Sequence, residues 1–225
     1  MFHTDKQVVL IGAGPIGYIP PIVRDLDVIA VDGGLDYCMH HGLKPAYFLG
    51  DMDSASAEAR QFAEQNHILS HLLDEQDTTD FEKSLMQVDA RGYFCFGFLD
   101  GRFDHTLATL HVVQKYTHKR PIILYGREDV ILVVMDDITL SLPIGERVSI
   151  LPLDRVSFKS SKGLYWSLDN IKMAPGTQIG VSNKTSENLV QITLADNNRG
   201  QYLLILPNYY FEDVLKLTGG LSEPK

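Results

Sequence analysis

Three short acidic motifs each follow a run of strand-forming residues and open a predicted helix. They are GDMDS at 50–54, EQDTTDFEKSL at 75–85 and DGRFDH at 100–105. Carboxylates in such positions gather at one edge of a parallel sheet, because the carboxyl ends of its strands lie together. A merely solvated acidic surface would not confine its aspartates to strand ends. The pattern therefore predicts an α/β fold with a site for a divalent cation and a polyphosphate.

The first part of the chain alternates predicted strands and helices, which indicates a mostly parallel sheet with helices on both sides. The strands are short apolar runs, as expected when both faces of a sheet are covered. Strands are predicted at Gln7–Gly12, Asp27–Asp32, Ala46–Asp51, His67–Leu73, Tyr93–Leu99 and Pro121–Gly126, and the clearest helices at Ser54–Asn66, Thr79–Ala90 and His105–His118.

After about Arg127 the pattern changes to closely spaced short strands separated by turns rich in Gly, Pro and Asn. Such spacing is typical of an antiparallel sandwich or barrel. We therefore predict a Rossmann-like three-layer α/β/α domain over 1–127 and an antiparallel sandwich or barrel over 128–225. The predicted strands are Ile131–Met135, Ile138–Leu142, Arg147–Leu151, Val156–Ser160, Gly163–Leu168, Gln178–Val181, Leu189–Leu194 and Gln201–Leu206, followed by a helix at Tyr209–Leu217.

Composition narrows the class of protein. A formal net charge of −9 argues against an extended nucleic-acid surface. No apolar run reaches the roughly 18 residues needed to cross a bilayer. Cys38 and Cys95 lie in apolar surroundings without CxxC spacing, which favours buried free thiols in a reducing cytosol. We expect a cytoplasmic protein with no nucleic-acid or membrane partner, whose anionic substrate brings a cation or meets local Arg and Lys side chains.

The glycine-rich segment GAGPIG, at 12–17, has three interpretations. It matches the dinucleotide-binding fingerprint, and Asp32 lies about twenty residues further on, as a ribose-binding acid would. Against this, Pro20 and Pro21 fall where the crossover helix should continue, and proline breaks a helix interior. The other interpretations are a turn beside a phosphate or adenine and a purely structural turn.

The acidic motifs supply the candidate site residues. Asp51 and Asp53 can both turn toward one cation, and Ser54 would start the next helix, whose free N–H groups favour anions. Asp80 falls in the first turn of its helix and faces the same crevice. Each motif also has a structural interpretation, as an Asx turn, a helix cap or an ion pair. The other candidates at this edge are Asp32 with Gly33 and Gly34, Gln76, Arg102 and Asp104.

The β half contributes two further candidates. Trp166 is the sole tryptophan and lies in SSKGLYWSL, where a core position and a ligand contact are both open. The turn SNKTSEN, with Ser182 and Asn183, would ordinarily be assigned as a polar loop.

At this point the motifs together resemble the thiamine pyrophosphokinase family over nearly the full length of the chain. The resemblance rests on VDGG (31–34), GDMDS (50–54), QDTTDFEKSL (76–85), GRFDH (101–105), GLYW (163–166) and VSN (181–183). It implies an N-terminal α/β domain for the nucleotide, a C-terminal β-sandwich for thiamine, and a homodimer with active sites formed between subunits. The departures are small: Met52 stands where Phe is frequent, and Asp100 where Gly is common.

The resemblance also implies a reaction and roles for residues. ATP would transfer its pyrophosphoryl group to thiamine with Mg²⁺ as cofactor. A pyrophosphokinase for another alcohol, such as a hydroxymethyl pterin, and a non-catalytic nucleotide- or thiamine-binding module are the alternatives. The implied metal ligands are Asp51, Asp53 and Asp80; the ATP and reaction residues are Asp32, Gly33, Gly34, Ser54, Gln76, Arg102 and Asp104; and the thiamine residues are Trp166, Ser182 and Asn183.

Overall fold

The structure, a computed structural model, describes residues 1–50, 55–71 and 78–220. The chain separates into two compact units, Met1–Arg127 and Glu128–Lys225. Among the described residues, no helix is long and apolar enough to cross a membrane.

The first unit contains a parallel sheet of six strands in the order β8-β7-β2-β3-β4-β5, and a separate parallel pair of β1 and β6. Strands β2, β7 and β8 are buried at every position, as expected for strands covered on both faces. The strands are β1 (Phe2–His3), β2 (Gln7–Ile11), β3 (Asp27–Val31), β4 (Tyr47–Leu49), β5 (Leu69–His71), β6 (Val88–Asp89), β7 (Gly92–Phe96) and β8 (Ile122–Tyr125), and the helices are α1 (Gly34–His40), α2 (Ala57–Gln65), α3 (Asp80–Gln87) and α4 (Phe103–Tyr116).

Helix boundaries in this unit follow from side-chain caps. The Ser56 hydroxyl accepts a hydrogen bond from the Ala59 N–H, at 3.1 Å, and thereby caps α2. The predicted start of this helix at Ser54 is therefore wrong, and Ser54 itself lies outside the described residues. Thr79 caps α3 in the same way, through the Glu82 N–H at 3.2 Å. That helix ends at Gln87, earlier than predicted, because the chain then enters β6.

The second unit is built from two antiparallel sheets of four strands each, in the orders β14-β11-β16-β9 and β10-β15-β12-β13. Burial alternates along β10, with one face toward the core. Phe158 and Tyr202 meet edge to face in this core, with ring centroids 5.4 Å apart. The elements are β9 (Asp129–Val134), β10 (Ile138–Ser141), β11 (Arg147–Pro152), β12 (Val156–Lys162), β13 (Lys172–Met173), β14 (Gly180–Lys184), β15 (Leu189–Leu194), β16 (Tyr202–Pro207) and α5 (Phe211–Leu217).

The predicted strand at Gly163–Leu168 is wrong, because this segment is a loop with a single bridge from Leu164 to Thr185. The cause lies at Gly163, whose φ of +74° is left-handed. A Cβ atom there would lie 2.1 Å from the Leu189 carbonyl oxygen, so only glycine fits this close approach. The fold class, an α/β unit followed by an antiparallel β unit, is confirmed.

Candidate active site

A cavity of about 550 Å³ lies in the first unit, where β2, β3 and β7 end and where α3 and α4 begin. Ligands of open α/β sheets bind at such carboxyl ends. The cavity therefore lies at the sheet edge to which the acidic motifs point. It is lined by Gly12, Ala13, Gly14, Pro15, Val31, Asp32, Thr79, Asp80, Phe81, Gly97, Phe98, Leu99, Gly101, Arg102, His105, Thr106, Ala108 and Thr109.

The glycine-rich turn after β2 forms part of this lining for a packing reason. The Gly12 and Gly14 N–H groups donate to the carbonyl oxygens of Phe96 and Gly97, each at 2.8 Å. A Cβ atom on either glycine would lie 2.7 Å from the Gly97 oxygen. The chain then enters a 3-10 helix at Pro21–Asp25 rather than the α-helix that holds a dinucleotide pyrophosphate. The dinucleotide interpretation is therefore wrong, while a turn beside a phosphate or adenine and a purely structural turn both stay open.

Asp32 lines the cavity from the turn after β3. Its backbone is left-handed, with φ of +53°, and its N–H donates to the Leu49 carbonyl oxygen at 2.7 Å. Gly33 and Gly34 are not among the described lining residues. A Cβ atom on Gly34 would lie 1.9 Å from the Ile11 carbonyl oxygen, so this glycine lets α1 pack on the end of β2. The close approach at Gly34 is thus between two backbone segments of the protein.

Asp80 is the first residue of α3 and lines the same cavity. The Lys83 ammonium lies 3.3 Å from its carboxylate and is itself mostly buried, with 10% of its side chain exposed. The Asp80 side chain is 45% exposed, so the pairing with Lys83 leaves it partly open to solvent. Asp80 therefore lies on the cavity wall, and its role as a metal ligand stays a prediction.

Arg102 and Asp104 form a paired donor and acceptor at the start of α4. Arg102 Nε and Nη2 donate to the two carboxylate oxygens of Asp104, at 3.1 and 2.6 Å. This pairing lowers the pKa of Asp104 and raises the pKa of Arg102. Both groups are therefore charged at neutral pH, and the Asp104 carboxylate is a weak proton acceptor in this arrangement. Arg102 lines the cavity.

Four predicted site residues, Asp51, Asp53, Ser54 and Gln76, lie outside the described residues. Within the described ranges, no three His, Cys, Asp or Glu side chains are placed to hold a metal ion. Of the predicted metal ligands, Asp80 alone has a described position, and its carboxylate chemistry suits a hard cation.

An ion pair between a buried carboxylate and a half-exposed lysine joins the two helices whose first turns line the cavity. Glu82 of α3 is 6% exposed, and its carboxylate accepts hydrogen bonds from Lys115 Nζ at 2.6 Å and from the Tyr116 hydroxyl at 3.1 Å on α4. The bond to Lys115 is the main cause of a lowered Glu82 pKa. The pair therefore stabilises the packing of α3 against α4.

Replacing Glu82 with Gln is expected to lower the free energy of unfolding at pH 7 by about 1.5–3 kcal/mol, the range for hydrogen bonds to charged groups. Because the folded pKa is lowered, the contribution is full above the ordinary pKa of 4.5 and is lost as the pH falls through the folded value. Urea denaturation of both proteins between pH 7 and 3 measures this.

The gap between wild type and Glu82→Gln should narrow as the pH falls. Asp213→Asn is the control, because Asp213 pairs with Lys216 at the surface and such pairs contribute little. A gap that is the same at every pH would contradict the assignment to Glu82 ionisation.

The predicted thiamine residues lie in the second unit. Trp166 is 56% exposed, so the interpretation as a core residue is wrong. Its ring meets that of Tyr165 edge to face at 4.8 Å. Asn183 is buried and hydrogen-bonds the Trp166 backbone. Ser182 has a left-handed φ of +60°, and its N–H donates to the Ser149 hydroxyl at 2.9 Å.

Sequence reasoning missed the residues that form the apolar wall of the cavity. Phe98 packs on Phe81 with centroids 4.4 Å apart, and the Thr109 hydroxyl donates to the Phe98 carbonyl at 3.1 Å. His105 and Thr106 complete the inward face of α4. The spacing of 102, 105, 106 and 109 is that of one helix face, so the helical period could have identified them once Arg102 was placed.

Comparison with known proteins gives curated relatives of one name. Thiamine pyrophosphokinase 3 of Oryza sativa subsp. japonica is 27% identical over 173 residues, which cover 69% of this chain and 64% of that protein. Thiamin pyrophosphokinase 1 of Caenorhabditis elegans is 26% identical over 184 residues, covering 75% and 73%. The chain spans 64%, 62% and 58% of the length of three rice relatives that it matches.

Solved structures share the fold. Thiamin pyrophosphokinase from Candida albicans superposes with a TM-score of 0.77 at 16% identity, covering 92% of both chains. That from Geobacillus thermodenitrificans gives a TM-score of 0.75 at 23% identity, covering 89% of this chain and 97% of that one. These likenesses confirm the fold class.

Two sequence profiles of the same family match the two halves in order. The profile described as "Thiamin pyrophosphokinase, catalytic domain" matches residues 25–125, and that described as "Thiamin pyrophosphokinase, vitamin B1 binding domain" matches residues 137–197. Together they cover more than two thirds of the 225 residues. The resemblance drawn from the motifs is thereby confirmed, and the chain belongs to the thiamin pyrophosphokinase family.

Proposed function

We propose that this protein is a thiamine pyrophosphokinase, which transfers the pyrophosphoryl group of ATP to thiamine and releases AMP. The observation that carries the proposal is the cavity at the strand ends, where Asp32, Asp80 and Arg102 meet. A match to a vitamin B1 binding profile in the same chain supports thiamine over a pterin alcohol. Nothing in the comparisons favours a non-catalytic module.

The cavity supplies groups that suit a nucleotide. Its wall of Phe81, Phe98 and Leu99 is apolar and can cover a base, while Arg102 offers paired N–H donors to phosphate oxygens. Because Arg102 is bound to Asp104 in this structure, an incoming phosphate competes with that carboxylate or shares the guanidinium with it. In the proposal, Arg102 therefore donates directional hydrogen bonds to the phosphate oxygens.

Asp80, with Asp51 and Asp53, is the proposed ligand set for Mg²⁺. The partial exposure of the Asp80 side chain and its place on the cavity wall support that role. When bound, Mg²⁺ neutralises charge on the ATP phosphates. Lys83 keeps the Asp80 carboxylate at the start of α3 and offsets part of its charge. An acidic protein can bind a polyanion by this combination of cation and arginine.

The transfer itself is an in-line displacement. The hydroxyethyl oxygen of thiamine attacks the β-phosphorus of ATP, the bond from that phosphorus to the α,β-bridging oxygen breaks, and AMP leaves with the electron pair. The hydroxyl proton is lost to a carboxylate or to water. A loose transition state demands little from a base, so positioning and charge stabilisation by Asp80 and Arg102 contribute most.

Thiamine is a flat cation, and an exposed aromatic face suits such a ligand. Trp166 presents this surface in the second unit, with 56% of the residue exposed. We assign Trp166 to stacking on the thiamine ring, with Ser182 and Asn183 beside it in the thiamine site.

Replacing Trp166 with Ala is expected to weaken thiamine binding by about 1–3 kcal/mol, the value of an aromatic contact with a cationic partner. The melting temperature should change little, because an exposed side chain lacks the about 3–5 kcal/mol of a core tryptophan. Thiamine should also quench the emission of the wild-type protein, whose sole tryptophan is Trp166. Titration calorimetry, fluorescence and thermal melting give the three measurements.

The reverse outcome would contradict the stacking assignment. Unchanged thiamine affinity together with a large fall in melting temperature would make Trp166 a packing residue. Tyr18→Ala is the matched control, since Tyr18 is similarly exposed, at 55%, in the first unit.

The activity is tested by mixing protein, thiamine and MgATP and measuring AMP and thiamine diphosphate. Equimolar formation of both is expected. A hydroxymethyl pterin offered in place of thiamine should give no AMP. AMP formation with the pterin alone, or ligand binding without any AMP, would favour one of the alternatives.

We also propose a cytoplasmic homodimer. The exposed apolar side chains of Ile179 and Val181, at and beside the edge strand β14, support an interface between copies. The two buried free thiols, Cys38 and Cys95, suit a reducing compartment. Light scattering after gel filtration should give twice the chain mass, and cell fractionation tests the location.

A further inference from the structure

Asn183 has a buried side chain that is hydrogen-bonded to the backbone of an exposed aromatic residue, Trp166. It is 3% exposed, although its neighbours Ser182 and Lys184 are both exposed. Its Nδ2 donates to the Trp166 carbonyl oxygen at 2.8 Å. Its Oδ1 accepts from the Trp166 N–H at 3.1 Å and from the Lys184 N–H at 2.8 Å. One amide thus binds both backbone groups of Trp166.

The loop that carries Trp166, residues 163–168, is also anchored at other points. The Tyr165 N–H donates to the Lys184 carbonyl at 2.8 Å, and the Leu168 N–H donates to the Ser161 hydroxyl at 2.8 Å. Leu164 and Leu168 are buried, at 8% and 2% exposure. The backbone on each side of Trp166 is therefore fixed, and the indole is the part that reaches solvent.

The indole has lateral support from a second aromatic ring. Tyr165, 60% exposed, meets Trp166 edge to face at an interplanar angle of 76°. Lys184 Nζ lies 4.5 Å from the centroid of the Tyr165 ring, within the range of a cation–π contact. The Asn183–Lys184 segment of β14 therefore contacts both aromatic residues, one through the backbone and the other through its ring.

We infer that Asn183 acts on the ligand through Trp166: its amide fixes the indole in the orientation that a flat cationic ring requires, and Asn183 is a positioning residue. Both acceptor sites of Oδ1 and one of the two Nδ2 hydrogens are engaged within the protein. Fixing Trp166 before the ligand arrives removes an ordering cost from binding. The inference rests on the proposed thiamine site and changes the role expected for Asn183 within it.

The first test uses the protein without ligand. Because Trp166 is the sole tryptophan, steady-state anisotropy and acrylamide quenching report on it alone. Asn183→Ala is expected to lower the anisotropy and to increase quenching. Asn183→Asp keeps the Oδ1 acceptor but turns its second carboxylate oxygen toward the Trp166 carbonyl oxygen, so it should also lower the anisotropy. It also serves as the second variant if Asn183→Ala does not fold. Unchanged anisotropy in the folded variant would overturn the inference.

The second test is a double-mutant cycle on thiamine affinity, measured by calorimetry. Asn183→Ala alone should weaken thiamine binding by about tenfold, since the indole must then be ordered on binding. In the Trp166→Ala background the same change should lower the thiamine affinity by less than about twofold, because the indole through which Asn183 acts is absent. A full tenfold loss in that background would make Asn183 a direct ligand contact and overturn the inference.

Thr185→Val is the matched control. Thr185 is also buried, at 2% exposure, but its hydroxyl bonds to the Pro143 carbonyl and the Glu146 N–H. This variant should lower stability without changing Trp166 anisotropy. The anisotropy test needs no substrate, so its result stands apart from the proposed activity. If the Asn183 variants change the anisotropy as expected but the wild type does not bind thiamine, the proposed function is rejected and the positioning role of Asn183 stands.

Discussion

Replacing Asp80 with Asn is expected to lower turnover with MgATP and thiamine by at least about two orders of magnitude, while the protein stays folded. Asp80 lines the strand-end cavity, where its carboxylate pairs with Lys83 and its side chain is 45% exposed. The neutral amide retains the shape but loses the charge that would hold a divalent cation against the phosphates, and such charge acts mainly in the transition state. Steady-state kinetics at saturating Mg²⁺ measures the loss.

The control for this variant is Glu58→Gln. Glu58 occupies the first turn of α2 as Asp80 occupies the first turn of α3, and it is exposed. Its loss should leave turnover unchanged. Near-normal activity of Asp80→Asn at saturating Mg²⁺ would contradict the ligand assignment. An equal loss in both variants would point to a general effect of helix charge.

Much of the fold could be predicted from strand burial and punctuation. Short apolar runs such as Gln7–Ile11 predict the strands of the first unit. The change in strand spacing near Arg127 indicates where the second unit begins. The start of α2 was misplaced because Ser54 and Ser56 are both possible caps, and the choice depends on which hydroxyl reaches a free N–H. Local sequence does not decide between two caps so close together.

The prediction of a strand at Gly163–Leu168 is wrong for a different reason. Its sequence has strand-forming residues, but Gly163 adopts a left-handed backbone beside the Leu189 carbonyl. That contact joins segments far apart in the chain, so no local pattern reports it. Trp166 lies in this loop and is exposed rather than in the core.

The candidate site could be predicted where charge carries the signal. Asp32, Asp80 and Arg102 meet in one cavity because each follows a strand or opens a helix at the same sheet edge. Gly34 shows the limit of this reasoning. The DGG sequence predicts that this glycine lets a ligand approach the backbone. In the structure the Ile11 carbonyl occupies the space that a side chain would need. Only tertiary packing distinguishes these two roles of a glycine.

Replacing Arg102 with Ala is expected to lower kcat/KM for ATP by about three orders of magnitude, the lower end of the range for an arginine that stabilises phosphoryl transfer. Two losses combine. The guanidinium no longer donates to phosphate oxygens, and the carboxylate of Asp104, now unpaired, repels them. Arg102→Lys should recover little, because an ammonium cannot reproduce the paired geometry.

The double variant Arg102→Ala with Asp104→Asn separates the possible roles of Asp104. The Arg102 pair lowers the pKa of Asp104, which makes this carboxylate a poor base while the pair is intact. If Asp104 serves to orient Arg102, removing its charge should restore about tenfold of the activity lost in Arg102→Ala, since the repulsion disappears. A double variant slower than Arg102→Ala would instead show that Asp104 takes part in the reaction on its own. Comparing kcat/KM for ATP across the two single variants, the double variant and the wild type decides between these roles.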